Sequence, residues 1–312
     1  MEAITVVAAA GIAVTGLALV FLRLGVHVPR GLLGAVGWLR FPLNAIAVRL
    51  RRRLRLPRRE YRFVAEPKGT LFDFLPVDEA GAAWHREAEL RTKFDLEAMR
   101  ASSSRADYRE VLYHLDVLDR LGPMPTLDAA SDPSHALVAV DVGSKDFRYA
   151  LALERWLGRS FARGVELTGV ELDAYGVYRS FHTRRDRAEA HCRAIGPHVR
   201  YVVSDFLTYE TVPSDVVTVF FPFVLPYAIT AWGLPLTCFA PVRLFERCAE
   251  ALRRGGLLVV ANHTSEERDR TVEIVTNLRA FRLVTSMPMQ SKLVPYQGEI
   301  DDRHLLVWVR ER

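Results

Sequence analysis

Acidic residues are missing from the first part of this chain: between Ala3 and Arg59 there is no Asp or Glu. The same stretch carries ten arginines, which with Glu2 give it a net charge of +9. Since the whole chain carries +5, residues 60–312 sum to −4. The pI near 9.2 therefore reports a local cationic segment and is no argument for nucleic-acid binding by the remainder. Cysteine is equally scarce. Cys192, Cys238 and Cys248 form neither a zinc-type spacing nor a redox CxxC, which excludes a disulfide framework and fits a reducing, cytosolic setting without a metal site. No internal repeat or low-complexity tract is present in the second half, so solenoid architectures are excluded.

Charge of either sign is also absent from Ile4 to Leu22, a run of 19 mostly apolar positions. As a helix it would extend about 28 Å, close to the hydrocarbon thickness of a bilayer. A cleaved signal peptide begins with basic residues, whereas the only charge before this run is Glu2. The run predicts a transmembrane anchor within residues 1–30. Residues 31–59 follow as an interfacial segment: Gly31 to Val48 is apolar but broken by Arg40 and Pro42, and Arg49 to Arg59 holds seven arginines in eleven positions. Such a cluster stays on the cytoplasmic side and meets anionic headgroups. The expectation is a single-pass protein of the cell (inner) membrane with everything after Arg59 in the cytoplasm.

Residues 60–130 read as a helical lead-in, with helices expected over Trp84 to Met99 and Arg105 to Leu121. In the second, Tyr108, Leu112, Leu115, Val117, Leu118 and Leu121 form an apolar stripe, and Gly122, Pro123 and Pro125 end it. From residue 131 to 312 apolar runs alternate with helical patterns. Strands are expected at Leu137 to Val140, Leu167 to Val170, Val199 to Val203, Val216 to Phe220, Leu257 to Ala261, Phe281 to Thr285 and Leu305 to Val309. A helix is expected over Pro241 to Arg253, stopped by Gly255 and Gly256. Continuous apolar runs are what strands covered on both faces require, and the alternation predicts an α/β, doubly wound, mostly parallel sheet.

Three acidic residues close successive runs: Asp141, Glu171 and Asp205. At the carboxyl ends of parallel strands, carboxylates in register can accept hydrogen bonds from ribose hydroxyls, an adenine amino group or a ligand ammonium. Gly143 allows a tight turn directly after the first run.

With VAVDVGS, GVELD, VSDF, DVVTVFFPF and LRRGGLLVVAN in place, residues 134–312 resemble the class I S-adenosylmethionine-dependent methyltransferases. An NAD-type Rossmann domain is the near competitor, and the third acidic motif and the C-terminal strand pair favour the methyltransferase. The resemblance implies a Rossmann-like, seven-stranded sheet whose last strand is antiparallel, with S-adenosyl-L-methionine as cofactor. By matching position, Asp141 and Gly143, with Ser144 and Lys145, would lie by the methionine moiety. Glu171 would hold the ribose hydroxyls, and Asp205 with Phe206 would flank adenine. The family's D-x-G-x-G-x-G departs here to Lys145 and Phe147 at the second and third glycines. Phe220 stands where amino-group methyltransferases carry an Asn, which disfavours DNA-adenine or glutamine methylation.

His263 and Asn262 after the fifth run are candidate bases or orienting groups, with Tyr227 and His182 behind them. The apolar stretch from Phe220 to Pro235 follows the fourth strand, where it would form a wall for a lipophilic substrate. Two readings follow. One is a transferase that methylates a hydrophobic or membrane-associated small molecule at the cytoplasmic membrane face. The other, motivated by Lys145 and Phe147, is an inactive methyltransferase-like binding or scaffold module tethered to the membrane.

Overall fold

The computed structural model describes residues 43–125, 127, 135–291, 293–294 and 302–311. The expected span at Ile4 to Leu22 lies outside them. Among the described residues no helix is long and apolar enough to cross a membrane. The chain divides into two compact units, Met1–Arg55 with Phe223–Ala240, and Leu56–Pro222 with Pro241–Arg312.

In the first unit, helix α1 covers 43–54. It crosses the boundary at which the sequence changes from an apolar segment to an arginine-rich one, because apolar and arginine positions interleave there at helical spacing. The unit also holds the short helix α7 (Pro226–Trp232) and a 3₁₀ turn at Leu236–Cys238. Asn44 Nδ2 donates to the carbonyls of Thr230 (3.1 Å) and Leu234 (3.2 Å), tying α1 to this segment.

The second unit begins with α2 (Val77–Lys93), α3 (Glu97–Ser102) and α4 (Arg105–Asp119). The single helix expected over Trp84 to Met99 is two. The chain breaks at Phe94 to Leu96, where Asp95 takes a left-handed φ of 51°, a turn that no glycine or proline announces. Helix α4 starts at Ser104, whose hydroxyl accepts from the Asp107 N–H at 3.1 Å. Its residues from Val111 to Leu118 are all buried. Over this stretch the expected stripe is buried and the remaining positions are buried with it, so the polar members need partners of their own. Asp116 finds Arg86 at 3.0 Å and the Ser291 hydroxyl at 2.8 Å.

The rest is the sheet with its connections: β1 (Leu137–Val142), α5 (Ala150–Phe161), β2 (Val165–Glu171), α6 (Arg184–Ile195), β3 (Val199–Val203), β4 (Ser214–Phe220), α8 (Pro241–Ala251), β5 (Leu252–Asn262), α9 (Ser265–Asn277), β6 (Phe281–Pro288) and β7 (His304–Arg310). The strand order is β3-β2-β1-β4-β5-β7-β6. Strands β1 to β5 pair in parallel, and β7 runs antiparallel to both β5 and β6. All seven expected runs fall inside strands. Helix α8, by contrast, ends two residues before Arg253. The pair Gly255 and Gly256, read as its stop, lies within β5 beside a register shift in the β4 pairing.

One core joins residues of the lead-in to the sheet: Leu112, Leu115, Leu137, Phe147, Trp156, Leu167, Val216 and Val307 belong to the same buried cluster. Within it, Gly169 of β2 makes room for Phe147. A Cβ at Gly169 would come within 2.7 Å of Phe147 Cε1 and of the Ser144 hydroxyl. Gly169→Ala is expected to cost about 1–3 kcal/mol through overpacking, read by urea denaturation. Adding Phe147→Leu should return part of that loss; an unchanged midpoint in the single variant would contradict this packing.

Candidate active site

The turn after β1 is folded onto the end of β2. The N–H groups of Gly143 and Ser144 donate to the Val170 carbonyl at 2.9 and 3.4 Å, and that of Phe147 to the Ser144 carbonyl at 2.7 Å. Lys145 is held from both sides: its N–H donates to Glu171 Oε2, and its carbonyl accepts from the Tyr201 hydroxyl, each at 2.7 Å. Gly143, Lys145 and Phe147 all have left-handed φ, at 76°, 53° and 50°. The three positions of the glycine pattern thus keep the backbone conformation that glycine favours, although two bear side chains at roughly 1–2 kcal/mol each. Full burial of the Phe147 ring and the two hydrogen bonds on Lys145 offset that cost.

The acidic residues fall on neighbouring strand ends. Asp141, fully buried, accepts from the Thr218 hydroxyl at 2.5 Å and the Tyr149 hydroxyl at 2.9 Å. The Ser144 hydroxyl donates to the Asp141 backbone carbonyl at 2.9 Å. Burial pushes the Asp141 carboxyl up to about 6 against these hydrogen bonds. Glu171 is also buried, which raises its pKa. Its Oε1 takes the Asp173 N–H at 2.7 Å while Oε2 holds Lys145. Asp173 in turn pairs with Arg184 at 3.0 Å. The Ser204 N–H donates to the Glu171 carbonyl at 3.1 Å, which brings the β3 end beside β2. There Asp205 Oδ1 accepts from the Leu207 N–H at 3.0 Å, and Phe206 is buried with the Arg247 guanidinium 5.9 Å from its ring centre. Asp141, Gly143, Ser144, Lys145, Glu171, Asp205 and Phe206 therefore occupy one continuous edge across β1, β2 and β3.

The other side of that edge is aromatic. His114 of α4 stacks on Tyr149 (centroids 4.7 Å, planes 22° apart) and on Phe220 at the end of β4 (5.7 Å, 15°). Its Nδ1 lies 2.9 Å from the Glu110 carbonyl. A carbonyl can only accept, so the ring proton sits on Nδ1 and Nε2 presents a lone pair. Nε2 is buried with no hydrogen-bond partner among the described residues. Burial, with the charge of Arg303 adding to it, holds this imidazole below its usual pKa. His114 was not legible in the sequence. The one available signal was a histidine inside an otherwise apolar helical stretch, and the stripe pattern assigned that stretch to packing.

His263, directly after β5, stacks on Phe221 with centroids 3.9 Å apart, and its backbone N–H donates to Glu267 Oε2 at 2.8 Å. Desolvation of the ring, then the charges of Arg303 and Lys145, lower its pKa to about 4, although the residue as a whole stays exposed. Asn262 is fully buried. Its Nδ2 donates to the Thr271 hydroxyl at 2.9 Å, and Oδ1 has no partner among the described residues. Arg303 lies 5.3 Å from the rings of both Phe221 and Tyr113 and donates to the Tyr113 hydroxyl at 2.9 Å. Tyr227 belongs to the other compact unit and is exposed. His182 lies on the loop before α6 and edges against Tyr61.

No family model matches the chain, and no curated protein matches it. Among solved structures it is similar to the N-methyltransferase NodS from Bradyrhizobium japonicum WM9, at 14% identity, over 66% of this chain and 97% of that one, with a TM-score of 0.40. It is also similar to a TehB-like SAM-dependent methyltransferase from Corynebacterium glutamicum (14%, 73% and 98%, 0.40). A third is the complex of the Haloferax volcanii Trm112 methyltransferase activator with a methyltransferase (14%, 72% and 96%, 0.42). At this identity and these TM-scores the likeness assigns no activity.

The Asp141 environment generates a pH prediction. The unfolded chain loses this proton near 3.8 and the folded chain near 6, so the group's contribution to stability falls as pH rises between those values and stays low above them. The stability of the native protein relative to Asp141→Asn should therefore drop from pH 4 to pH 6, by roughly 3 kcal/mol at most, and be flat from pH 7 to 8. Urea midpoints of both proteins across that range check it; a difference that grows with pH would contradict it.

Proposed function

We propose that this chain transfers a methyl group from S-adenosylmethionine to a hydrophobic, membrane-associated small molecule. The observation that carries the reading is the edge built by the order β3-β2-β1-β4-β5-β7-β6. It sets Asp141 and Glu171 on adjacent strand ends around a turn that keeps three left-handed positions. The reversed β7 is the strand that the sequence resemblance calls for.

The residues present fit the cofactor. A carboxylate can accept about four hydrogen bonds, and each oxygen of Glu171 holds one N–H, so both keep capacity for a ribose hydroxyl. Asp141 with the 143–145 turn would face the methionine end, and Asp205 with Phe206 the adenine. Phe147 does not oppose this, since its ring packs at Gly169, two residues inside β2 and within the main core. That placement weakens the scaffold reading as far as it rests on Phe147. When bound, S-adenosylmethionine supplies an electrophilic methyl on a sulfonium.

The protein's part is to align the acceptor and remove its proton. His114 Nε2, neutral and unpartnered beside Phe220, is suited to take that proton from a hydroxyl or amine. His263 also stays neutral at physiological pH and can orient the acceptor with Asn262. The aromatic faces of Tyr149, Phe220 and Phe221 favour an apolar body on that acceptor. Tyr227 lies in the segment assigned to the substrate wall. The arginine-rich stretch from Arg49 to Arg59 favours the cytoplasmic face of the inner membrane, where an anchor over Ile4 to Leu22 would hold the chain.

Calorimetric titration of the full-length protein in detergent with S-adenosylmethionine is expected to show binding. Glu171→Gln should weaken it by about 1–3 kcal/mol. No heat and no thermal shift at millimolar ligand would overturn the reading. In a second assay, methyl-tritiated S-adenosylmethionine is incubated with a total bacterial lipid extract. His114→Phe should keep cofactor affinity while slowing transfer of label to the lipid phase by about a hundredfold or more; equal rates would remove His114 from the chemistry.

A further inference from the structure

Helix α1 presents an apolar face to solvent. Leu43, Ile46, Leu50 and Leu54 are separated by three, four and four positions and so share one stripe, and each is between 44% and 70% exposed. The opposite side faces inward: Val48 is 4% exposed, and Asn44 makes the two hydrogen bonds to the Thr230 and Leu234 carbonyls. Arg49 and Arg53 flank the stripe on one side and Arg51 on the other, while Arg52 lies on the reverse face. No acidic residue belongs to this helix. An apolar stripe held outward by bonds on the reverse face, and bordered by cations alone, matches an anionic bilayer surface. Apolar side chains enter the acyl boundary while arginine stems reach back to phosphates.

We infer that α1 is a monotopic membrane-insertion helix that lies in the headgroup plane of an anionic bilayer, with Leu43, Ile46, Leu50 and Leu54 immersed. Arg49, Arg51, Arg52 and Arg53 crowd its last turns on every side of the helix but the stripe, too much charge for the hydrocarbon core, so it lies along the surface. Leu236, 38% exposed in the segment to which Asn44 is bonded, continues the same apolar character. The inference deepens the membrane part of the proposed function and is independent of the cofactor. It is equally independent of whether Ile4 to Leu22 spans.

The test uses the full chain in a Cys238→Ser background, since Cys192 and Cys248 are buried. Leu50→Cys and Arg52→Cys are each labelled with a nitrobenzoxadiazole fluorophore. The proteins are reconstituted in vesicles of phosphatidylcholine with phosphatidylglycerol, or of phosphatidylcholine alone. In the anionic vesicles the label at 50 should shift its emission to the blue and be reduced by dithionite at least about tenfold more slowly than the label at 52. That protection should weaken without phosphatidylglycerol, and adding Ile46→Glu with Leu54→Glu should abolish it. Equal accessibility at 50 and 52 in the anionic vesicles would overturn the inference. So would protection at 50 that disappears on dilution of protein at fixed lipid, which would assign the face to a second copy. A chain that binds no S-adenosylmethionine but protects position 50 would refute the transferase reading and leave this one standing.

Discussion

The Glu171 carboxylate is the point on which the site depends. One oxygen holds the Lys145 N–H and the other the Asp173 N–H, so a single buried group fixes both the turn after β1 and the chain leaving β2. Burying it is costly, and the two charge-assisted bonds are what make the burial tolerable. Once the turn is pinned, Gly143, Lys145 and Phe147 take their left-handed conformations. Phe147 then drops into the space that Gly169 leaves open, and the Ser144 hydroxyl reaches the Asp141 carbonyl. Loss of the carboxylate would free the loop and the strand end together.

A second constraint comes from α4. Because it is enclosed from Val111 to Leu118, it carries polar side chains into the same core that supports the sheet. His114 reaches the aromatic end of β4 in this way, and Tyr113 is linked to Phe221 through Arg303. Tyr113 is fastened by donating to the Met289 carbonyl at 2.7 Å and by accepting from Arg303. The lead-in helices are thus a wall of the candidate site, and the acceptor side is built from segments far apart in sequence.

The sheet was legible in the sequence because parallel strands buried on both faces leave continuous apolar runs. Every residue of β4 is buried, and the run Val216 to Phe220 announced it. Asp141, Glu171 and Asp205 were legible for the same reason, as the polar residues that end such runs. What was hidden depended on contacts without local signature. His114 looked like packing because a helix enclosed on all sides has no polar face to contrast with. The left-handed turns at Lys145 and Phe147 use residues that normally avoid that conformation, and the bonds on Lys145 and the burial of Phe147 impose it; the break at Asp95 has no glycine or proline to mark it. Gly255 and Gly256 read as a helix stop, yet they serve a register shift within β5. Where the apolar segment meets the arginine-rich one, residues 43–54 form one amphipathic helix.

On the proposed function, S-adenosylmethionine sits at the turn pinned by Glu171. Amide hydrogen exchange of the peptide from Asp141 to Tyr149, with and without S-adenosylhomocysteine, measures that most directly. At a hundred times its Kd, the ligand should slow exchange there by about a hundredfold, the equivalent of about 2.7 kcal/mol. Exchange in this peptide that is unaltered while the ligand demonstrably binds would contradict the account and place the cofactor elsewhere.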